Sequence, residues 1–457
     1  MKILILTIWF LIMTKLLFFW AWLWQMKEYH FGRFRAHFET RLMPKIISGF
    51  WRIKIPKITK KVILILFFGL VAEILFLIFV FPLEPSRFYT YLFFFFVVSP
   101  VIFSALILIF QIPIEFLKKR ILKKAEKKIA GFKNLLVIGI AGSYGKTATK
   151  EFLAEILSQK FKVLKTERHT NAEIGIARTI LEKLRSEHEI FIAEIGAYER
   201  GKIKEVCKMI KPRIGILTGL NEQHMSTFGS QEKIIEAKCE LIESLPENGL
   251  AIFNGENNFC CELYERTKTK KKIIYSSQNE YSDVSGKLAP WEKENFLLAA
   301  SAAEEIGMTS GEIRRAAGKI RSFFRIEEGQ NGFKIIDSVY SANSQSVIAH
   351  LEYLKKLPGR KIIIMPCLIE LGKAGRGVHR RIGEKIAEVC VFAVITTKDY
   401  FPELREAALK SGMNENKIIF SSKPEDIFAK LKETAPEGGI ILLESRVPQK
   451  LVGLLKK

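Results

Sequence analysis

A lysine and a threonine that close a glycine turn are the residues in this chain whose types and spacing most directly imply chemistry. Residues 135–152 read Leu-Leu-Val-Ile-Gly-Ile-Ala-Gly-Ser-Tyr-Gly-Lys-Thr-Ala-Thr-Lys-Glu-Phe. The apolar run 135–140 reads as a buried strand, and helix-permissive residues follow from Thr147. A turn from strand end to helix start aims several backbone N–H groups and a helix N-terminus at one point, which suits a polyphosphate. Gly142 and Gly145, on either side of Ser143, let the backbone approach phosphate oxygens with no Cβ in the way. Lys146 then reaches the terminal phosphates and the Thr147 hydroxyl holds Mg²⁺. The full phosphate-loop pattern wants glycine at position 140, where this chain has Ile140. It is a shortened variant, Gly-Ser-Tyr-Gly-Lys-Thr. An ordinary strand–turn–helix corner is the competing reading, and the strand before it together with Lys-Thr after it favours nucleotide.

Three more residues could work beside that loop. Glu194 ends the run Phe-Ile-Ala-Glu, and His224 follows the apolar run that ends at Thr218. Lys238 lies in a helical pattern, Ile-Ile-Glu-Ala-Lys-Cys-Glu-Leu. Alone, each is more often a capping or salt-bridge residue, and Lys238 reads as an exposed helix lysine beside Glu236 or Glu240. Together, a carboxylate and an imidazole after successive strands of a phosphate-binding sheet are where a second metal ion would be useful.

The elements that must position these residues alternate regularly. Short apolar runs at 135–140, 190–194, 214–218, 250–254, 334–337, 361–365, 392–396 and 440–444 are separated by amphipathic helical segments. This predicts an α/β fold with mainly parallel sheet. Composition shifts near 322–331, and a second strand–helix alternation begins at Phe333. The expected soluble domains are therefore 118–322, a P-loop-type domain, and 323–457.

The first 117 residues are of another kind. Apolar stretches at about 3–24, 62–81 and 91–110 are each long enough to cross a bilayer, with Lys15 and Glu73 as blemishes. No small-residue cleavage site follows the first, and its Phe-Phe-Trp-Ala-Trp-Leu-Trp end resembles an interfacial aromatic belt, so it reads as a retained helix. The net charge of +23 could point to nucleic acid. Its placement argues against that, because the excess concentrates beside the apolar stretches. Residues 27–61 carry ten Lys or Arg against Glu28 and Glu39, and a second basic run covers 118–133. Both belong on the cytoplasmic side, which puts the N-terminus outside and everything after about residue 112 in the cytoplasm of a membrane-anchored protein. The basic segments then either lie on anionic headgroups of the bilayer or are simply solvated flanks. Six cysteines show no metal-ligand spacing and read as reduced and structural.

In order along the chain come Gly142-Ser-Tyr-Gly-Lys-Thr-Ala-Thr-Lys-Glu151, Thr170-Asn-Ala-Glu-Ile-Gly175, Glu194-Ile-Gly and Asn221-Glu-Gln-His-Met-Ser-Thr-Phe-Gly-Ser230. They continue with Ala237-Lys-Cys-Glu240, Glu294-Asn-Phe-Leu-Leu-Ala-Ala300, Phe324-Arg-Ile-Glu327, Asp337-Ser-Val-Tyr-Ser-Ala-Asn343, and Glu370-Leu-Gly with His379 and Gly383 beyond. This series, over roughly 132–457, resembles the Mur ligase family in its MurF-like branch, which adds D-alanyl-D-alanine. The resemblance implies an ATP- and Mg²⁺-binding central domain and a Rossmann-like C-terminal domain that closes over it. It also implies a reaction in which a carboxylate becomes an acyl phosphate and an amine then attacks to form an amide.

By that resemblance Lys146 and Thr147 hold phosphate and a first Mg²⁺ that Glu194 shares, and His224 helps hold a second. Lys238 matches the family's carbamoylated lysine, whose carbamate is an anionic oxygen ligand. Asn295 reads the adenine, and Arg325 and Asp337 meet the nucleotide from the mobile side. Asn171, Asn343, Glu370 and His379 fall on the substrate side of the cleft. The partners implied are ATP, a muropeptide-like acceptor and a dipeptide or amino acid.

The chain departs from the family in four ways, one being Asp337-Ser-Val-Tyr-Ser-Ala-Asn-Ser344 where Asp-Asp-x-Tyr-Asn-Ala-Asn-Pro is usual. Membrane stretches replace the usual substrate domain, Glu294 stands where a histidine is usual, and Leu298 stands at a second asparagine position. The acceptor is thereby left open between soluble and lipid-linked precursors. Other readings are an amidating enzyme, or a catalytically weak scaffold that recruits other cell-wall enzymes. A nucleotide-driven transporter would need more spans.

Overall fold

The computed structural model describes residues 1–38, 53–167, 170–222, 225–268, 271–275, 281, 288–322, 324–339, 343–435 and 438–456. It divides into two compact units, Met1–Arg120 and Ile121–Lys457.

Helices Lys2–Met26 and Lys60–Val80, in the first unit, and the segment Pro85–Ala130, which begins in it and runs past its end, are long and apolar enough to cross a membrane. That last segment comprises helices Pro85–Ile109 and Gln111–Ala130. The third apolar helix starts earlier than the sequence reading placed it, because Pro85 sits at the first helical position, where its missing N–H costs nothing. The aromatic belt is also revised. Trp20 and Trp24 are buried inside the bundle, Trp24 stacks on Phe34 at 4.0 Å, and Trp24 Nε1 donates to Ser104 Oγ at 2.9 Å. Their large surfaces find protein on all sides, which an interface would not supply. Glu73 is fully buried and accepts a hydrogen bond from Thr14 Oγ1 at 3.0 Å, so it faces another helix.

The second unit holds two sheets. The first comprises β1 (Leu136–Ala141), β2 (Val163–Lys165), β3 (Ile190–Glu194), β4 (Ile214–Leu217), β5 (Leu250–Asn254) and β6 (Lys271–Tyr275). Its order is β2-β3-β1-β4-β5-β6, and every pairing is parallel. Along β1, Val137 and Ala141 enter one hydrophobic core with Phe191, Leu217 and Phe253, while Ile138 and Ile140 enter the other with Phe152, Leu153 and Phe296. Burial on both faces is why these strands read as unbroken apolar runs. The register pairs Ile140 with Glu194 and Ala141 with Leu217, so the carboxyl ends of β3, β1 and β4 lie level. The chain leaves β1 toward β2 on one side and later fills β4 on the other. Ligands of open parallel sheets bind at such a switch point.

The second sheet comprises β7 (Ile326–Glu328), β8 (Phe333–Ser338), β9 (Lys361–Met365), β10 (Phe392–Ile395), β11 (Ile418–Phe420) and β12 (Gly439–Glu444). Its order is β11-β10-β9-β12-β8-β7, with β7 antiparallel to β8 and all other pairs parallel. It is therefore a mixed sheet with one antiparallel edge.

Candidate functional site

The turn after β1 is shaped by two glycines and tied to the end of β4. Gly142 and Gly145 have φ of 152° and 80°, the second in the left-handed region at the N-cap of helix Lys146–Leu157. A Cβ on Gly142 would lie 2.2 Å from Thr218 Oγ1, and one on Gly145 would lie 2.3 Å from Asn295 Oδ1. Neither position has room for a side chain. Ser143 N donates to Gly219 O at 2.6 Å, Ser143 Oγ accepts from Asn221 N at 3.3 Å, and Thr218 Oγ1 donates to Tyr144 O. Lys146 Nζ folds over the turn and donates to Gly142 O at 2.8 Å and Ser143 O at 3.1 Å. Burial lowers its pKa, against the pull of Glu194.

Glu194, at the end of β3, is buried and held by four groups. Thr147 Oγ1 donates to its Oε2 at 3.0 Å, Lys150 Nζ to the same oxygen at 3.3 Å, and Asn171 Nδ2 to Oε1 at 3.2 Å. Its backbone N–H donates to Thr166 Oγ1 at 3.0 Å. The expected metal pair Thr147 and Glu194 is thus brought together, with Asn171 beside it. Among the described residues no cluster of three His, Cys, Asp or Glu could hold a metal ion alone. Two hard oxygen donors at a phosphate seat fit Mg²⁺ nonetheless, since that ion keeps waters and takes substrate phosphate oxygens. His224 lies outside the described residues.

Lys238 corrects one of its two readings. It is buried, not exposed: Nζ donates to Ala197 O at 3.3 Å and lies 5.9 Å from the centre of the Phe228 ring. The neighbouring acids are occupied elsewhere. Glu236 pairs with Arg200 at 3.1 Å, and Glu240 accepts from Gly201 N and Lys204 N at the start of helix Lys202–Ile210. Burial first, then the charge of Lys146, brings the Lys238 pKa down to about 7, with Glu240 opposing.

Asn295 is buried against the turn, accepting from Thr149 Oγ1 at 3.3 Å and donating to Trp291 O at 2.7 Å. The Glu294 carboxyl is pushed up to about 7 by burial and then by Glu256. Tyr144 accepts from Asn257 Nδ2 at 3.2 Å, and burial is the main cause that raises its phenol to about 12.

The C-terminal domain meets Asn221, Glu222 and Ser226 after β4. Asn221 Nδ2 donates to Asn343 Oδ1 at 3.0 Å and to Gln345 Oε1 at 3.2 Å. Glu222 accepts from Ser344 Oγ at 2.6 Å and Arg381 Nη2 at 3.0 Å, and Ser226 N donates to Glu370 O at 3.2 Å. Asn343 and Glu370 are therefore at this junction, Glu370 with a φ of 64°.

Two other expected residues are engaged elsewhere. Arg325 is exposed and its Nε donates to Ser322 O at 2.8 Å, while Asp337 accepts from Lys456 Nζ at 2.6 Å. His379 is a correction. It is fully buried, its Nε2 accepts from Leu368 N at 2.9 Å, its Nδ1 donates to Gly375 O at 2.6 Å, and its ring stacks on Tyr400. With both nitrogens used and its pKa lowered by burial, it braces the loop after β9 and has nothing to offer a substrate.

Lys150, Thr218 and Asn257 were not singled out from the sequence. Lys150 had a readable signal: it shares a helix face with the buried Leu153, Ala154 and Leu157, where a lysine is out of place. Thr218 and Asn257 are loop residues with no pattern of their own. A groove of about 820 Å³ lined by Phe132, Leu135, Phe161, His188 and Ile306, among others, opens at the amino end of β1 and β3, the opposite end of the sheet.

A glycine turn of phosphate-loop type on a parallel sheet, clasped by a second α/β domain, is the architecture of a two-domain nucleotide-using enzyme. Comparison with known proteins gives the class more narrowly. Residues 140–309 match the Mur ligase middle domain, and residues 323–446 match the Mur ligase, glutamate ligase domain. The UDP-N-acetylmuramoyl-tripeptide–D-alanyl-D-alanine ligase of Synechocystis is 29% identical over 333 residues, covering 68% of this chain and 71% of its own. That of Bacillus subtilis is 26% identical over 344 residues, covering 70% and 75%. Among solved structures, MurF from Acinetobacter baumannii aligns with a TM-score of 0.65 at 22% identity, over 74% of this chain and 80% of its own. MurF ligase from Thermotoga maritima in complex with ADP gives 0.63 at 24% identity, over 74% and 83%; at these identities both speak for the fold. With the two domain models together matching more than half of its length, the chain belongs to the Mur ligase family, as a MurF-like ATP-dependent carbon–nitrogen ligase.

Proposed function

We propose that this protein joins a D-alanyl-D-alanine-type dipeptide to the carboxylate of a muropeptide-like acceptor, using ATP, from the cytoplasmic face of a membrane that its three apolar helices span. The observation that carries the reading is the Thr147 hydroxyl set 3.0 Å from the buried Glu194 carboxylate at the phosphate turn. An acceptor carboxylate oxygen would attack the γ-phosphorus of ATP and release ADP. The dipeptide amine would then attack the acyl carbon, lose a proton and expel phosphate.

The chain's own residues divide this work. The turn at Gly142, Ser143 and Gly145 cradles phosphate, and Lys146 neutralises charge that builds on the transferring group. Thr147 and Glu194 would hold Mg²⁺, which supplies further charge neutralisation when bound. Asn295 would face the nucleotide, Arg325 and Asp337 would leave Ser322 and Lys456 to approach it from the C-terminal domain, and Asn171 and Asn343 would border the substrates. Lys238 fits a carbamate. An amine with a pKa near 7 is partly neutral at neutral pH, so its lone pair can attack CO₂ and shed a proton to leave an anionic oxygen ligand. That ligand, with His224, would serve a second Mg²⁺.

The test is phosphate release by purified full-length protein given ATP, Mg²⁺, D-alanyl-D-alanine and either a nucleotide-linked or a lipid-linked muropeptide. Release that requires one acceptor is expected, and release with neither would overturn the proposal. A lipid-linked acceptor is the favoured variant of this reading. Neither domain model extends before residue 140, and that region carries the apolar helices. The Lys/Arg bias of 27–61 and 118–133 supports an N-terminus outside.

A further inference from the structure

Lys150 is sealed from solvent on the helix that follows the phosphate turn, and its ammonium stands 3.3 Å from Glu194 Oε2 and 3.3 Å from Glu151 Oε1. Glu151 has a second partner in Lys165, so a chain of charges runs from the half-exposed Lys165 inward through Glu151 and Lys150 to Glu194. A buried ion pair adds little to fold stability that well-packed apolar side chains would not add more readily. What this one does add is orientation. Each oxygen of the Glu194 carboxylate has a fixed donor, Asn171 on Oε1 and Lys150 with Thr147 on Oε2. The Thr147 hydroxyl would be shared between the carboxylate, to which it gives its one proton, and a cation that takes a lone pair, so its position would follow the ion. Lys150 would remain as the donor that keeps Oε2 in place.

We propose that Lys150 is a positioning residue for the metal–nucleotide site, its buried ammonium holding the Glu194 carboxylate where Oε2 and the Thr147 hydroxyl converge. The inference rests on the reading of Thr147 and Glu194 as metal ligands. It deepens that reading by assigning the group that aims one of them. Outer partners of metal ligands typically account for about 10–100-fold in metal affinity.

The experiment is binding of a fluorescent ADP analogue by the full-length protein, titrated with Mg²⁺, in the parent and in Glu194→Gln, Lys150→Met and Lys150→Gln. Expected is a rise of about tenfold or more in half-saturating Mg²⁺ for Lys150→Met. Nucleotide affinity without Mg²⁺ should stay within about twofold, because the turn itself is untouched. Lys150→Gln, which keeps an N–H donor, should recover part of the loss and serves as the folded comparison if Lys150→Met fails to fold. If Glu194→Gln leaves the Mg²⁺ dependence intact, the ligand assignment falls, and this inference with it. If Glu194→Gln abolishes that dependence while both Lys150 variants titrate as the parent does, Lys150 is a fold residue and the inference alone is overturned.

Discussion

A lysine ammonium closed off from water with one backbone carbonyl as its hydrogen-bond partner is a costly arrangement, and Lys238 is in it. Converting the amine to a carbamate removes the buried cation and replaces it with an anion beside Lys146. Lys238→Ala should therefore lower ligation by about 100-fold or more, the scale of losing a metal's charge stabilisation. Small carboxylates added to the buffer should restore part of the activity by occupying the vacated space. Lys238→Arg should not respond, because a permanent cation fills the site. Full activity of the alanine variant would remove the carbamate from the mechanism. The unmodified amine also makes a pH prediction. It titrates at about 7 in the fold against an ordinary 10.5, so between those values the unfolded chain holds a proton that the folded chain lacks. Stability conferred at this site then rises with pH across that window, and below about 7 the penalty of burying the cation is complete. In bicarbonate-free buffer, Lys238→Met should melt above the parent at pH 6, and the gap should narrow by pH 9. A gap of equal size at both would show that the amine does not titrate in that range.

The helix Pro290–Glu305 connects the nucleotide turn to the C-terminal domain. Its Asn295 lies against Gly145, and one turn earlier the Trp291 ring meets Phe324 at 4.8 Å, His350 at 4.5 Å and Tyr353 at 5.7 Å. His350 is fixed in turn by Glu444 at 2.7 Å. Arg325 follows Phe324 directly and is held by the Ser322 carbonyl. An arginine placed there would meet the nucleotide after movement about this joint. Arg325→Ala should lower kcat by about tenfold or more while leaving ADP affinity within about twofold, as expected of a contact made after binding. Comparable losses in both, measured by turnover and by equilibrium binding, would mark a contact already present in the resting enzyme. The same scale explains what the sequence disclosed about the fold. All eight strands read from apolar runs are present to within about a residue, because each is interior to its sheet and buried on both faces. The four that went unread, β2, β6, β7 and β11, are the two edges of each sheet. Three of them are only three residues long, and β7 is exposed throughout, so no long apolar run announces them. Candidate site residues followed a similar rule. Thr147 and Glu194 sit at the start of a helix and the end of a strand, positions that the sequence pattern marks, whereas the burial of Lys238 and the internal contacts of His379 depend on neighbours distant in sequence.

At the scale of the whole chain, the helix Gln111–Ala130 spans the division between the two units, and its later turns belong to the ligase. Leu122, Ala125 and Ile129 are buried in the core on one face of the central sheet, with Val137, Phe191 and Leu217. Burying a leucine or isoleucine is worth about 1.5–3 kcal/mol each, so these turns contribute about 3–6 kcal/mol, a large share of the ~5–15 kcal/mol that holds a domain folded. A chain starting at Lys118 should fold and bind ADP within about threefold of the full protein, since it keeps that packing and every residue of the site. A chain starting at Gly131 should melt markedly lower, and equal melting of the two would mean that the helix lends the domain nothing. The Lys118 chain also isolates what the apolar helices do. If they bring the active site to a membrane-bound acceptor, removing them should leave ligation of a soluble muropeptide unchanged. It should lower ligation of a lipid-linked one in vesicles by about 100-fold or more, the usual scale of a lost tether. Unchanged rates on both acceptors would separate the membrane helices from substrate delivery and leave them as anchors alone.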